Sequence, residues 1–184
     1  MSNRKSALMK TAVALIGFTA SVIGSSAWAG TATANMNVTA SVTQTCTVAT
    51  PPDLAFGPYD PIVANATAPL TATSTISVKC TKASSGITVN IGVGNNAAST
   101  QRQMKGATSA DLLQYNILQP TAGSPYSSCT ATAWGTAAGG SLYTPTGVTW
   151  GTTAATFTVC GSIPAAQNVS IDNYSDIVQV AVNF

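Results

Sequence analysis

From residue 32 to residue 42 the chain alternates without a break. Ala32, Ala34, Met36, Val38, Ala40 and Val42 are apolar, and every position between them is Thr, Asn or Ser. A period of two held over this length predicts a strand with one face made for burial. No hairpin turn joins it to a following strand. Such a segment needs a sheet edge to fill, supplied either by this chain or by another copy.

The same pattern predicts further short strands. Residues 73–80 place Ile76, Val78 and Cys80 on one face, and residues 87–93 do the same with Ile87, Val89, Ile91 and Val93. Residues 115–118 form a short candidate after Leu112-Leu113. In residues 153–160, Phe157 and Val159 are in phase while Cys160 is out of phase, which places it at the strand's end. Residues 176–184 set Val178, Val180, Val182 and Phe184 on one face, with Ile177 and Ala181 opposite. Pro51-Pro52, Gly57-Pro58, Gly94-Asn95 and Gly139-Gly140 read as turns or loops. No segment has sustained helical periodicity. About seven short strands with turn signals between them predict an all-β protein, a β-sandwich of immunoglobulin-like type.

The last of these strands is unprotected. It holds a single charge, Asp176, and no proline, whereas sheet edges are usually blunted by charge, proline or a cap. Val178, Val180, Val182 and Phe184 therefore read as an acceptor edge with a vacant neighbour. Ala32, Ala34, Met36, Val38, Ala40 and Val42 read as a strand without a sheet.

The first residues carry a different signal. Arg4, Lys5 and Lys10 precede an apolar run over residues 11–23, and Ala27-Trp28-Ala29 supplies a small-x-small cleavage site. This is an export signal, residues 1–29, with no integral membrane segment expected after processing. Its removal changes the charge. Lys79, Lys82, Arg102 and Lys105 remain against Asp53, Asp60, Asp111, Asp172 and Asp176, so the positive balance of the whole chain turns slightly negative. No basic patch is left to attract nucleic acid.

The four cysteines, Cys46, Cys80, Cys129 and Cys160, all lie beyond the signal, and an even number in an exported chain points to disulfides. Three pairings are open. The sequential one, Cys46–Cys80 with Cys129–Cys160, is the expectation. It closes two loops of similar length, each contributing about 3 kcal/mol in the loop-entropy description. The chain has no histidine and no CxxC, so neither a zinc site nor any other cofactor is expected. Without histidine the Ser/His/Asp and Cys/His nucleophile systems are excluded, and an enzyme is not expected. Any carboxylate pair would have to come from the five Asp; Asp53 with Asp60, and Asp172 with Asp176, read as turn residues and residues leading into strands.

Several pieces, taken in order, resemble the spore coat protein U domain family, the subunit type of archaic chaperone–usher pili. They are Cys46-Thr47-Val48, Leu54-Ala55-Phe56-Gly57-Pro58-Tyr59-Asp60-Pro61, Ile76-Ser77-Val78-Lys79-Cys80-Thr81, Arg102-Gln103-Met104, Leu113-Gln114-Tyr115-Asn116-Ile117, Trp134-Gly135, Tyr174-Ser175-Asp176-Ile177-Val178 and the closing Val182-Asn183-Phe184. Asp172 stands about where the family pattern leads one to expect glycine. The resemblance implies a donor-strand extension at residues 30–45 and an incomplete immunoglobulin-like domain at residues 46–184. It implies as partners a periplasmic chaperone that first lends the missing strand, an outer-membrane usher, and the next pilin subunit, whose extension replaces the chaperone. The chain would pass through the periplasm to a fimbrium on the cell surface, in adhesion or biofilm formation.

The alternative is a self-contained secreted coat protein or carbohydrate-binding adhesin. Tyr126, Trp134, Tyr143 and Trp150 could present sugar-binding rings, although core and loop-anchor roles are routine for such residues. Asn37, Asn65, Asn168 and Asn173 head N-x-S/T sequons, which chance explains in a chain so rich in Ser and Thr. Gly92-Val93-Gly94 lacks the rest of a dinucleotide fingerprint and reads as a strand end with a turn. Arg102 and Lys105 with Asp111 read as a solvated loop.

Overall fold

The computed structural model describes residues 29–123, 125–137 and 139–184. The expected export signal thus lies outside the described residues, Ala29 excepted. The chain divides between Ala40 and Ser41, and the folded body is Ser41–Phe184.

Among the described residues the body holds eleven strands and no helix. In chain order they are β1 (Cys46–Val48), β2 (Leu70–Cys80), β3 (Thr88–Ile91), β4 (Gln103–Gly106), β5 (Leu112–Gln114) and β6 (Asn116–Pro120). There follow β7 (Cys129–Trp134), β8 (Gly140–Ser141), β9 (Ala155–Ile163), β10 (Tyr174–Ser175) and β11 (Val180–Asn183). One layer is a six-stranded sheet in the order β1-β2-β9-β6-β7-β8. The other is made of two pieces, β10-β4-β5 and β11-β3. The arrangement is an all-β sandwich.

Alternation decides which face is buried. In β2 Ile76, Val78 and Cys80 point inward, and in β9 Phe157, Val159 and Ile163 do so. These two strands pair over nine residues with Ile76 opposite Phe157, so the inner faces coincide. Val89 and Ile91 of β3 meet them from the second layer. Trp134 is fully buried among them and donates its indole N–H to the Leu118 carbonyl at 2.8 Å.

Two disulfides staple the first layer, Cys46–Cys80 and Cys129–Cys160. Cys46 and Cys80 lie directly opposite on β1 and β2. Cys160 is not at a strand end. β9 runs on through Gly161 to Ile163 and stops before Pro164, so Cys160 sits mid-strand on the outer face, between the buried Val159 and Gly161. Its disulfide therefore crosses the outside of the sheet.

Other boundaries also move. β2 begins earlier than the alternation indicated, at Leu70, and Tyr115 falls in the break between β5 and β6. Gly140 opens β8 and only Gly139 stays in the turn. Arg102 does not lie in the expected solvated loop: β4 occupies Gln103–Gly106, and Arg102 is only 1% exposed. Its guanidinium donates to the carbonyls of Ile91 (2.8 Å), Gly92 (2.9 Å) and Trp134 (2.9 Å). It ties β3, β4 and β7 together through backbone acceptors, and burial lowers its pKa from 12.5.

Candidate strand-acceptor site

The last segment of the chain has one paired and one open side. β11 pairs with β3, setting Val180 opposite Ile91 and Val182 opposite Val89. Just before it, the Ile177 carbonyl accepts from the Asn95 N–H (3.1 Å) and the Gln179 carbonyl from the Gly92 N–H (2.9 Å). Odd-numbered residues thus direct their backbone groups toward β3. By strand alternation the N–H and C=O of Val178, Val180 and Val182 face the other way, to an edge with no neighbouring strand among the described residues. The side chains of these valines turn inward and pack on the core.

Beside that edge a groove of about 530 Å³ opens into the sandwich. One wall is the run from Tyr174 to Val178, continued by Val180; the other is the strandless segment Pro51 to Phe56. The floor is core: Ile76 from β2, Ile91 from β3, Ile117 from β6 and Val159 from β9, with Met104 and Tyr115 toward one end. The Pro51–Phe56 wall is held from behind. The Pro52 carbonyl accepts from the Ser74 hydroxyl at 2.8 Å, and Leu54 and Phe56 lie against Gly161, where a β-carbon would come within 2.8 Å of Leu54.

The groove has a polar end. Asp176 accepts four hydrogen bonds: the N–H groups of Asn95 (2.9 Å) and Asn96 (3.1 Å), the Asn96 amide (3.0 Å) and the Tyr115 hydroxyl (2.7 Å). Burial, with the hydrogen bond to Asp176 next, holds the Tyr115 phenol well above its ordinary value of 10.0. Gly94, at φ 98°, carries no side chain because the Asp176 carboxylate occupies that space. Asp172 serves a neighbouring loop: it accepts from the N–H of Thr108 (2.8 Å) and Ser109 (2.6 Å), which pulls its pKa far below 3.8.

The structure brings together only part of the edge expected from sequence. Val178 and Val180 line the groove; Val182 and Phe184 do not. β1 lies close to β11. Phe184 is 57% exposed, so it is not part of a buried face. In the other direction the groove reaches past Val178 to Tyr174, further than the alternation indicated. The Pro51–Phe56 wall was missed because it has no strand pattern; its sequence sign was the i, i+2 spacing of Leu54 and Phe56.

The residues Ala32, Ala34, Met36, Val38, Ala40 and Val42 form no ladder strand, and every residue from 29 to 45 is exposed. Met36 and Val38 are each 83% exposed. The alternation is present without the burial it is made for.

The aromatic residues weighed as a sugar-binding surface are elsewhere. Tyr126, Trp134, Tyr143 and Trp150 are all buried, and Tyr143 packs between Trp134 and Phe157. Among the described residues no three His, Cys, Asp or Glu side chains group as a metal site would require, and no helix is long and apolar enough to cross a membrane.

The body is thus an all-β sandwich with one sheet edge left open over an apolar groove. The family model of the Spore Coat Protein U domain matches residues 32–181, and the chain belongs to that family. It is 35% identical to Protein U of Myxococcus xanthus over 188 aligned positions, covering 96% of this chain and 98% of that protein. Among solved structures it is similar in fold to a chain of the CsuC–CsuE chaperone–tip adhesion subunit pre-assembly complex, from archaic chaperone–usher Csu pili of Acinetobacter baumannii. The TM-score is 0.51 at 20% identity, over 78% of this chain and 40% of that one.

Proposed function

We propose that this protein is a structural subunit of an archaic chaperone–usher fibre, built by passing a strand from each subunit to the next. The observation that carries the reading is the complementarity of two parts of one chain. Residues 32–42 are exposed and alternate with period two; the groove beside Val178 and Val180 is apolar and its edge is unpaired. A head-to-tail contact of this kind does not close on itself and gives a filament. Family membership and the fold shared with a chain of a chaperone–subunit complex support the same reading.

The energetics are adequate. Burying Met36, Val38 and Val42 contributes roughly 5–9 kcal/mol at 1.5–3 kcal/mol for each side chain. Association costs about 4–15 kcal/mol in lost freedom. Apolar burial alone is therefore marginal, and the backbone hydrogen bonds along the edge have to supply the surplus. A continuous strand does this and an isolated apolar contact does not.

In this reading residues 1–29 are removed on export, residues 30–45 are the donor extension and residues 46–184 the acceptor domain. The partners are further pilin subunits, a periplasmic chaperone that occupies the groove before assembly, and an outer-membrane usher. The fibre stands on the cell surface, in adhesion or biofilm formation. The role is structural rather than enzymatic, and Tyr126, Trp134, Tyr143 and Trp150, being buried, offer no ring face to a sugar.

The test is a pair of substitutions one residue apart. Val38→Asp places a charge on the face to be buried, whereas Thr39→Asp places it on the opposite face. Fibre yield should collapse for the first and change little for the second, while chaperone co-purification stays intact for both, since the chaperone engages the groove. Equal fibre yields would overturn the proposal.

A further inference from the structure

We infer that Asp176 sets the register of the incoming strand, placing Met36 and Val38 beside Val178 and Val180 and an alanine opposite Asp176. This rests on the strand-exchange reading above and goes beyond it by fixing which residue meets which.

The argument begins with the order of inward-facing residues along the edge. Tyr174, Asp176, Val178 and Val180 follow one another in the groove lining, and only Asp176 among them is charged. It is held there by four hydrogen bonds, from the two Asn95–Asn96 backbone N–H groups, the Asn96 amide and the Tyr115 hydroxyl. It cannot swing away without losing all of them. A large apolar side chain laid over it would strip water from a polar group and gain little packing in return. A methyl group covers less of it.

The donor fits this constraint in only a narrow way. Its inward series is Ala32, Ala34, Met36, Val38, Ala40, Val42, in which the two adjacent large residues are flanked on each side by alanine. If the strand runs parallel to β11, setting Ala34 opposite Asp176 puts Met36 at Val178 and Val38 at Val180. If it runs antiparallel, setting Ala40 opposite Asp176 puts Val38 at Val178 and Met36 at Val180. Both directions deliver the large pair to the same two valines, over the floor formed by Ile76, Ile91 and Val159. A shift by one inward position in either direction puts Met36 or Val38 over Asp176, or moves one of them to Val182, which does not line the groove. The edge thus reads the donor by what it refuses as well as by what it accepts.

The test maps register in the assembled protein. Full-length chains carry one cysteine at Met36 or Val38 and a second at Asp176, Val178, Val180 or Val182. Dibromobimane then bridges only near-neighbour thiols, and the products are resolved by reducing electrophoresis and peptide mapping. Bridges from both Met36→Cys and Val38→Cys to positions 178 and 180 are expected. A bridge from either to position 176 or 182, without those two, overturns the register while leaving strand exchange standing. Failure of every pair to bridge between copies overturns strand exchange itself, and the register with it. Because the Asp176→Cys chain can fail to fold, a second measurement leaves the acceptor untouched. Exchange of the chaperone-held subunit with donor peptides of residues 30–43 should slow at least about tenfold for one of Ala34→Val and Ala40→Val, equivalent to ~1.4 kcal/mol. Equal, small effects from both overturn the role of Asp176.

Discussion

The side-chain amide of Gln167 closes the backbone of Gln114 on both sides, donating to its carbonyl at 2.9 Å and accepting from its N–H at 2.8 Å. Gln114 ends β5, the outer strand of the β10-β4-β5 piece. A single glutamine thus imitates a neighbouring strand where none should pair. The edge at Val178–Val182 has no such cap among the described residues. One edge is shut and the other left open, and selective vacancy of that kind suits a site better than an oversight in folding.

Removing the cap should therefore create a second sticky edge. In a Val38→Asp background, where the proposed head-to-tail assembly should be suppressed, Gln167→Ala should cost about 0.5–1.5 kcal/mol and promote sideways association of the chaperone-released subunit. Light scattering against the Gln167-intact protein checks this; an unchanged mass distribution would mean that the edge is protected by something else.

Arg102 is the sharpest prediction about stability. Three carbonyls, those of Ile91, Gly92 and Trp134, depend on one guanidinium. Arg102→Met keeps an apolar stem of similar length but leaves the carbonyls without a donor, at about 1–3 kcal/mol for each that water fails to reach. Arg102→Lys should rescue poorly, since one ammonium cannot span acceptors that a planar fork reaches together. Both variants should lower the melting temperature of the assembled protein, Met more than Lys. Near-complete rescue by Lys would show that charge matters and geometry does not.

These residues also mark how far the sequence could be read. β2, β3, β9 and the valines around β11 were legible because each alternates with one face in the core, and that is the only face a two-layer sandwich hides. β4 was not legible. Arg102-Gln103-Met104-Lys105 reads as surface, and what buries Arg102 is a set of backbone carbonyls from strands far apart in sequence. A buried charge satisfied by main chain leaves no partner residue in the sequence to signal it. Cys160 misled for a related reason: an outward cysteine mid-strand breaks the apolar phase, and its partner Cys129 lies on a strand with weak patterning. Of the site, the edge was visible in part and the groove was not, since its Pro51–Phe56 wall belongs to no strand.

Acid and alkali should act on different parts. Tyr115 is raised above its ordinary 10.0, by burial first, and Tyr143 is pushed up to about 12, by burial and then by Tyr126. A raised folded value means that their contribution is fully present below pH 10 and is lost as pH climbs toward the folded values. Asp60, Asp111 and Asp172 are lowered from 3.8, chiefly by N–H groups of Ile62 for Asp60 and Ser109 for Asp172, and by hydrogen bonds from Ser170 for Asp111. Their contribution is present above that value and is lost as pH falls below it. Thermal stability of the assembled protein should be level through the neutral range and decline beyond both limits. Tyr115→Phe should lower the plateau, by removing the bond to Asp176, and soften the alkaline limb. A limb unchanged in that variant would assign the alkaline loss to other groups.

The wall opposite the valines can be moved without touching either strand partner. Gly161, in the middle of β9, faces Leu54 and Phe56 at contact distance, and a β-carbon there would stand within 2.8 Å of both side chains. β9 itself tolerates valine well, since its backbone is extended and β-branched residues suit strands. Gly161→Val should therefore leave the six-stranded sheet formed while it pushes the Pro51–Phe56 segment off its seat. The overpacking costs about 1–3 kcal/mol, and it falls on that segment because Leu54 and Phe56 are the side chains a β-carbon at 161 would strike. The expected result is a subunit with both disulfides formed that no longer retains a donor strand: weaker chaperone co-purification and little fibre, in contrast to Val38→Asp, which loses fibre alone. That contrast separates damage to the groove from damage to the strand that enters it. If Gly161→Val polymerises normally, the Pro51–Phe56 segment is not a wall of the acceptor site, and the groove must be defined by β11 and the core floor without it.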